Sequence, residues 1–200
     1  MIMKIVVATK NPGKVREIKE ILAHKRIQVC SLLDFPNFPE IKETGKSFYE
    51  NALTKARQVN QKTSLPALAD DSGLEVDALN NRPGILSARY AGTKATDQER
   101  INKLLSEMKG IPDSKRKGRF VCCMVFCDHN RIFHVTGFCD GTISRKPSGR
   151  NGFGYDPVFF LPELGKTMAQ LDLDEKNKIS HRSNALKKIK EMIFREYKII

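Results

Sequence analysis

Two hundred residues carrying 35 Lys and Arg against 23 Asp and Glu have a net charge of +12. That length suits one sizeable core, or one core with a lobed extension, and not two independent domains. With 40% hydrophobic and 29% charged residues the composition is that of a soluble globular protein, and no apolar run nears the length needed to span a bilayer.

The chain opens on Met1-Ile2-Met3-Lys4-Ile5-Val6-Val7-Ala8. This run is too short for a signal-peptide core and leads straight into a first strand at about Met3 to Ala8, so a cytoplasmic protein is expected. In Thr9-Lys10-Asn11-Pro12-Gly13-Lys14, Asn11 is a good N-cap and Pro12 a good first helical residue. Val15, Ile18, Ile21 and Leu22 then recur at helical spacing. A second strand is predicted near Gln28 to Leu32, after which Pro36 and Pro39 break the chain. Ser47-Phe48-Tyr49-Glu50 reads as a capping box, opening a helix with Phe48, Ala52, Ala56 and Val59 on one face. A strand from Leu65 to Asp70 follows and closes on Asp70-Asp71-Ser72-Gly73.

Beyond a loop at Asn80-Asn81-Arg82-Pro83-Gly84, Thr96-Asp97-Gln98-Glu99 forms a second capping box. Its helix buries Ile101, Leu104, Leu105 and Met108 and stops at Gly110. Phe120–Cys127 and Ile132–Cys139 flank Asp128-His129-Asn130 and read as a hairpin. Past a Gly-rich stretch near residue 150 come a short strand, Pro157–Leu161, and a final helix with Ala185, Leu186, Ile189 and Ile193 on its apolar face. The order is mixed α/β, with no internal repeat or interdomain linker, and residues 1–200 are read as one domain.

Residues 1–100 hold 16 basic and 12 acidic side chains, and residues 101–200 hold 19 and 11. Lys115-Arg116-Lys117 with Arg119 reads as a solvated loop, and Lys187-Lys188 with Lys190 as a solvated helix face. Neither is interleaved with aromatics, so a nucleic-acid partner is not favoured. Of five cysteines, Cys122, Cys123 and Cys127 lie in an apolar strand, where reduced thiols behave as small hydrophobes. That reading outweighs a zinc site built from Cys127, His129 and His134, which lacks a paired-cysteine spacing.

Asp70 and Asp71 at the end of an apolar strand suit a core poorly and a hard cation well. Mg²⁺ takes oxygen ligands, commonly one or two carboxylates with water and substrate phosphates. With a basic surplus elsewhere, the pattern points to a Mg²⁺-dependent enzyme acting on nucleotides. Thr9–Lys14 joins a strand to a helix start, whose N–H groups and Lys14 favour an anion, although it is not a P-loop. In Gly149-Arg150-Asn151-Gly152-Phe153-Gly154-Tyr155-Asp156-Pro157, three glycines allow close backbone approach to a ligand. Phe153 and Tyr155 offer ring faces and Asp156 an acceptor; a tight turn with an aromatic anchor is the plainer alternative. Lys176 and Ser180-His181-Arg182-Ser183 add polar groups suited to a nucleobase edge. Equally, one serine is an N-cap and His181 and Arg182 are ordinary surface residues.

Taken together, these stretches resemble the inosine triphosphate pyrophosphatase family. The matching runs are residues 8–14, Glu43-Thr44-Gly45, Phe48 with Glu50-Asn51-Ala52, Lys55-Ala56, Ala69-Asp70-Asp71-Ser72-Gly73-Leu74, Pro83-Gly84-Ile85, Ser87-Ala88-Arg89-Tyr90-Ala91-Gly92, Gly152–Pro157 and Ser180-His181-Arg182. They keep the family's order over nearly the whole chain. Leu86 stands where a tyrosine is usual, and Ser148 where an arginine is expected. The resemblance implies an elongated, two-lobed α/β fold with a mixed twisted sheet flanked by helices, a cleft between the lobes, and a homodimer.

The reaction it implies is NTP + H₂O → NMP + pyrophosphate, with ITP, dITP and XTP preferred. Glu43 and Asp71 are the implied Mg²⁺ ligands, and Asp71 is also the proton acceptor. Thr9, Lys10, Asn11, Pro12, Gly13 and Lys14 hold phosphate, Lys55 adds charge, and Ser72 touches substrate. Phe153, Gly154, Tyr155, Asp156, Lys176, His181 and Arg182 complete the substrate set. Phe153 stacks on the purine, and Arg182 or a backbone N–H near His181 donates to the C6 oxygen. The rival readings are a basic nucleic-acid-binding protein without catalysis and a pyrophosphatase of pyrimidine or modified nucleotides.

Overall fold

A computed structural model describes residues 2–129 and 131–199; Met1, Ile200 and Asn130, the last residue of the expected hairpin turn, lie outside it. The chain divides into two compact units. The first comprises Met1–Asp71, Cys122–Gly137 and Arg182–Ile200, and the second Ser72–Val121 and Phe138–His181. The fold is mixed α/β.

In the first unit, β1 (Met3–Val7) pairs in parallel with β2 (Ile27–Ser31) and with the start of β3 (Ala67–Val76), Val6 lying opposite Ala67. The last part of β5 (Lys117–Asp128) and the first part of β6 (Arg131–Ile143) belong here and follow in the order β2-β1-β3-β5-β6. Three helices cover this sheet: α1 (Pro12–Ile21), α2 (Phe48–Thr63) and α5 (His181–Glu196), the last entering the unit at Arg182.

Side chains alternate across a strand with a period of two, and here both sheet faces are covered. Ile5, Val7, Leu68, Cys122, Met124 and Phe126 pack with α1 and α5 residues such as Ile18, Leu186 and Ile189. Val6, Ala8, Ala67, Ala69, Val125 and Cys127 pack instead with Ala52, Ala56 and Val59 of α2. Two apolar layers on one sheet explain why these strands read as unbroken apolar runs.

The second unit holds the remaining parts of β3, β5 and β6. β4 (Arg82–Pro83) is antiparallel to β3, and β7 (Phe159–Leu161) and β8 (Lys166–Thr167) extend the order β6-β7-β8. Its core gathers Leu74, Val76, Phe120, Ile143, Val158 and Phe159 against Ile101 and Leu104 of α3 (Asp97–Glu107) and Met108, which caps that helix. The reciprocal Thr96–Glu99 capping box is present. A further helix, α4 (Leu173–Ile179), which the apolar periodicity does not reveal, is opened by a capping box between Asp172 and Glu175.

Two local expectations change. Ser47 caps α2, but the Glu50 carboxylate accepts from the Lys46 N–H at 2.7 Å, one residue upstream of the cap, so the box opens by one position. β3 does not stop at Asp70; it runs ten residues through both aspartates to Val76. Asp70 and Asp71 therefore sit in the middle of a strand, where the pleat assigns them to opposite faces.

Candidate active site

The alternation that places Leu68 on the α1/α5 face places Asp70 there too, and Asp71 follows Ala67 and Ala69 to the α2 face. Each carboxylate meets a different set of partners.

Asp70 is almost fully buried in a network of two cations and two carboxylates. Lys14 Nζ lies 2.9 Å from its Oδ2, and Arg182 donates to the same oxygen from Nε at 3.2 Å and from Nη2 at 3.1 Å. Arg182, itself 1% exposed, also donates from Nη1 to Glu17 at 2.6 Å. Burial pushes the Asp70 carboxyl upward, but Lys14 and Arg182 outweigh it and hold the group well below the usual carboxylate range.

Asp71 faces α2. Asn51 Nδ2 donates to its Oδ2 at 2.9 Å, and Lys55 Nζ lies 3.5 Å from its Oδ1. The same ammonium is 2.6 Å from Glu43 Oε1. Glu43 and Asp71, far apart in sequence, thus converge on one cationic atom. Burial raises the Asp71 pKa; Lys55 opposes the rise and Glu43 adds to it. For Lys55, burial works downward, yet Asp71 and Glu43 together raise it. Two carboxylates meeting at one cationic point offer oxygen donors of the kind Mg²⁺ takes together with water and phosphate. The chemistry of the residues fits that ion, with Lys55 marking where positive charge is accepted.

The segment before α1 departs from expectation. The Asn11 side chain accepts from Gly13 N at 2.9 Å and Lys14 N at 3.2 Å, Val15 N donates to the Asn11 carbonyl, and Pro12 has no N–H. Thr9 Oγ1 accepts from Asn11 N. The cap that makes the helix start legible also consumes the N–H groups expected to hold an anion. What the segment offers a phosphate is the positive end of the helix and the ammoniums of Lys10 and Lys14. Lys10 Nζ rests on the Phe38 carbonyl at 3.3 Å, on an exposed residue.

Within the second unit the glycine-rich loop folds around its own aspartate. Asp156 Oδ2 accepts from Phe153 N at 2.9 Å and from Lys176 Nζ at 2.7 Å. Gly152 has φ +76°, and a Cβ there would lie 2.0 Å from Asp156 Oδ2. Close backbone approach is thus needed for a neighbour in the chain. Tyr155 is a core anchor, buried with its hydroxyl donating to the Ser87 carbonyl at 3.0 Å, so its ring is not offered for stacking. Gly154 N donates to Asp97 at 2.7 Å. Phe153 is half-buried with Lys176 Nζ 4.8 Å from its ring centre, and the His181 ring stacks on Phe120 at 4.7 Å. Ser72 follows Asp71 in β3 and is partly exposed.

Arg182 requires a correction. It is neither a surface residue nor held out toward a base edge, because its guanidinium is committed to Asp70 and Glu17 in the first unit.

The match to the Ham1 family model runs over residues 5–192. The chain belongs to the Ham1 family. A protein of Geobacillus kaustophilus (strain HTA426) named a dITP/XTP pyrophosphatase is 51% identical over 189 residues, covering 94% of this chain and 93% of its own length. One of Yersinia pestis with the same name is 50% identical, covering 92% and 94%. The solved structure of a HAM1 protein from Coxiella burnetii is 43% identical, with a TM-score of 0.88 over 97% of this chain and all of that one. The Ham1 protein of Staphylococcus aureus gives a TM-score of 0.86 at 39% identity, over 96% and 99%.

Two buried residues of this Ham1 site were missed as functional candidates: Glu17, the carboxylate that shares Arg182, and Asn51, the amide on Asp71. A signal for both exists. Asn51 and Lys55 are one helical turn apart on the stripe that also carries Ala52, Ala56 and Val59, and Glu17 sits between buried Val15 and Ile18. Polar residues on an apolar stripe need a partner to be there.

Proposed function

We propose that this protein hydrolyses non-canonical purine nucleoside triphosphates (ITP, dITP and XTP) to the monophosphate and pyrophosphate, with Mg²⁺ as cofactor. The observation that carries the reading is the convergence of Glu43 and Asp71 on one cationic point beside the lysine-bearing start of α1. Relatives named dITP/XTP pyrophosphatase, similar over nearly their whole length, supply the substrate class. The extent of the family match supports treating the whole chain as one catalytic domain.

Glu43 and Asp71 would hold the ion, which when bound neutralises charge on the phosphate oxygens. Asp71 receives the proton of the water that attacks the α-phosphorus. Its Oδ2 is held by Asn51, and its Oδ1 is turned to the point that Lys55 marks. Burial raises its pKa against the opposing charge of Lys55. Lys10, Lys14 and Lys55 place positive charge along the triphosphate, and the bond between the α-phosphorus and the bridging oxygen breaks to release pyrophosphate. Asp70 stays ionised and holds Lys14 and Arg182 in place.

For the base, Phe153 stacks, and a backbone N–H near His181 meets the C6 oxygen of hypoxanthine or xanthine. Adenine presents an amino donor there, and a fixed donor facing another donor discriminates far better than shape. The resemblance also supports a cytoplasmic homodimer with neither a nucleic-acid nor a membrane partner; among the described residues no helix is long and apolar enough to cross a membrane. Pyrophosphate release with Mg²⁺ from ITP, dITP, XTP, ATP, GTP and CTP tests the reading. Fast release from the first three supports it. Silence on all six defeats it, and equal rates on ITP and ATP defeat the base selection.

A further inference from the structure

Asn51 is wholly buried, and both ends of its amide are used. Nδ2 donates to Asp71 Oδ2 at 2.9 Å, while Oδ1 accepts from the Gly45 N–H at 2.8 Å, two residues beyond Glu43. One side chain on α2 is therefore bonded to the strand that carries one carboxylate and to the segment that carries the other. A carboxylate on a strand can rotate about its own bonds, and a glutamate in a non-helical segment can drift with its backbone. The amide removes both freedoms. It engages Oδ2 of Asp71, so that Oδ1 is the oxygen turned to the point that Lys55 Nζ marks, and it pins the backbone from which Glu43 reaches the same point.

Gly45 fits this role. A Cβ built there would lie 2.7 Å from Asn51 Oδ1 and 2.7 Å from Glu50 Cβ, so any larger residue would push on the amide. The contact is made possible by the absence of a side chain at Gly45, and the Asn51 amide fills the space.

We propose that Asn51 is the positioning residue of the site: it sets which oxygen of Asp71 faces the reaction and ties that choice to the position of Glu43. This deepens the pyrophosphatase reading and rests on it for its kinetic arm. Asn51 touches neither substrate nor reacting atoms in this role; it acts through Asp71 and Gly45.

The test uses Asn51→Leu, which keeps the volume and removes both hydrogen bonds, and Gly45→Ala, which disturbs the same bond from its other end and serves if the first variant fails to fold. The readouts are kcat and KM for ITP, Mn²⁺ affinity of the nucleotide-free protein by calorimetry, thermal midpoint, and each variant repeated with Asp71→Asn. Expected are a fall in kcat of about thirtyfold or more with KM within about threefold, since a misaimed base costs rate far more than binding. Mn²⁺ affinity should weaken about tenfold. In the Asp71→Asn background the second change should add almost nothing to the loss of turnover, as residues acting through one another are not additive. Wild-type kcat and Mn²⁺ affinity in a folded variant would overturn the proposal, as would a full multiplicative loss on top of Asp71→Asn. If the unaltered protein released pyrophosphate from no nucleotide, the functional reading would fall, while the Mn²⁺ measurement would still decide the positioning role.

Discussion

Replacing Asp70 or Asp71 with asparagine changes one atom in either of two adjacent residues, yet the expected outcomes are opposite. Asp70 is the shared acceptor of Lys14 at 2.9 Å and of two Arg182 donors at 3.1 and 3.2 Å, with the Asp70 and Arg182 side chains each 1% exposed. Asp70→Asn leaves a buried guanidinium and a mostly buried ammonium facing a neutral amide. Breaking a buried pair in this way costs about 3–5 kcal/mol. Asparagine can still accept one hydrogen bond, so the lower end, about 3 kcal/mol, applies, which is roughly 6–12 °C in Tm for a chain this size.

Asp71→Asn removes a charge that burial disfavours, and Lys55 keeps Glu43 at 2.6 Å. Its stability should stay within about 1 kcal/mol of the parent. Turnover should fall about 10²–10⁴-fold, the usual worth of a positioned base. Urea unfolding at pH 7.5 without metal, paired with pyrophosphate release from ITP, reads both quantities. The low folded-state pKa of Asp70 adds an acid signature. Its stabilisation is complete above the unfolded value of about 3.9 and fades as pH falls toward the folded one, so the parent should lose stability progressively as pH falls below about 4, a loss that Asp70→Asn lacks. An Asp70→Asn protein within about 1 kcal/mol of the parent in urea, or an Asp71→Asn protein destabilised by about 3 kcal/mol, would refute the assignment of the two carboxylates to separate tasks.

Other expectations follow from the same contacts. Lys55→Met removes the ammonium that Glu43 and Asp71 share, so Mn²⁺ affinity of the nucleotide-free protein should rise about tenfold, or 1.4 kcal/mol, while kcat/KM for ITP falls; unchanged affinity by calorimetry would mean that the ammonium and the ion do not compete. Gly152→Ala drives a Cβ to 2.0 Å from Asp156 Oδ2 at a positive φ and should cost about 3 kcal/mol in urea unfolding; a neutral result would remove the Asp156–Lys176 clamp from the argument. Burial raises the Cys139 thiol to about 11, leaving about one part in a thousand as thiolate at pH 8. Half-buried Cys30 should therefore be the one fast site for a thiol reagent in the native protein, the four buried cysteines reacting only on unfolding; two fast sites would contradict this.

Much of the fold is written in periodicities that local physics enforces. Asn11-Pro12 starts α1 where the cap chemistry demands, and Thr96-x-x-Glu99 starts α3 with both reciprocal bonds. The apolar stripe of α5 is buried at Ala185, Leu186, Ile189 and Ile193. α4 escaped because its seven residues are too few for an apolar period, although Asp172-x-x-Glu175 announces its first turn. In the sequence β3 reads as ending at Asp70 because charge resembles a strand end, whereas Asp70 and Asp71 remain in the strand through partners contributed by α1, α2 and α5. Such partners lie up to 112 positions away in sequence, beyond the reach of any local pattern.

The Thr9–Lys14 segment shows why a residue type alone under-determines its task. Asparagine at a helix start is legible because its side chain bonds the first free N–H groups, and for that same reason those groups are no longer available to a phosphate. Arg182 and Tyr155 teach the same lesson: each carries the right atoms for a nucleobase, and each spends them on its own chain. Asn51 and Lys55 run the other way. Amide and ammonium on the buried stripe of α2 contradict the pattern around them, and a fully buried polar group costs too much to persist without a partner. The contradiction is visible without coordinates, and it points to the side of the helix where Asp71 waits.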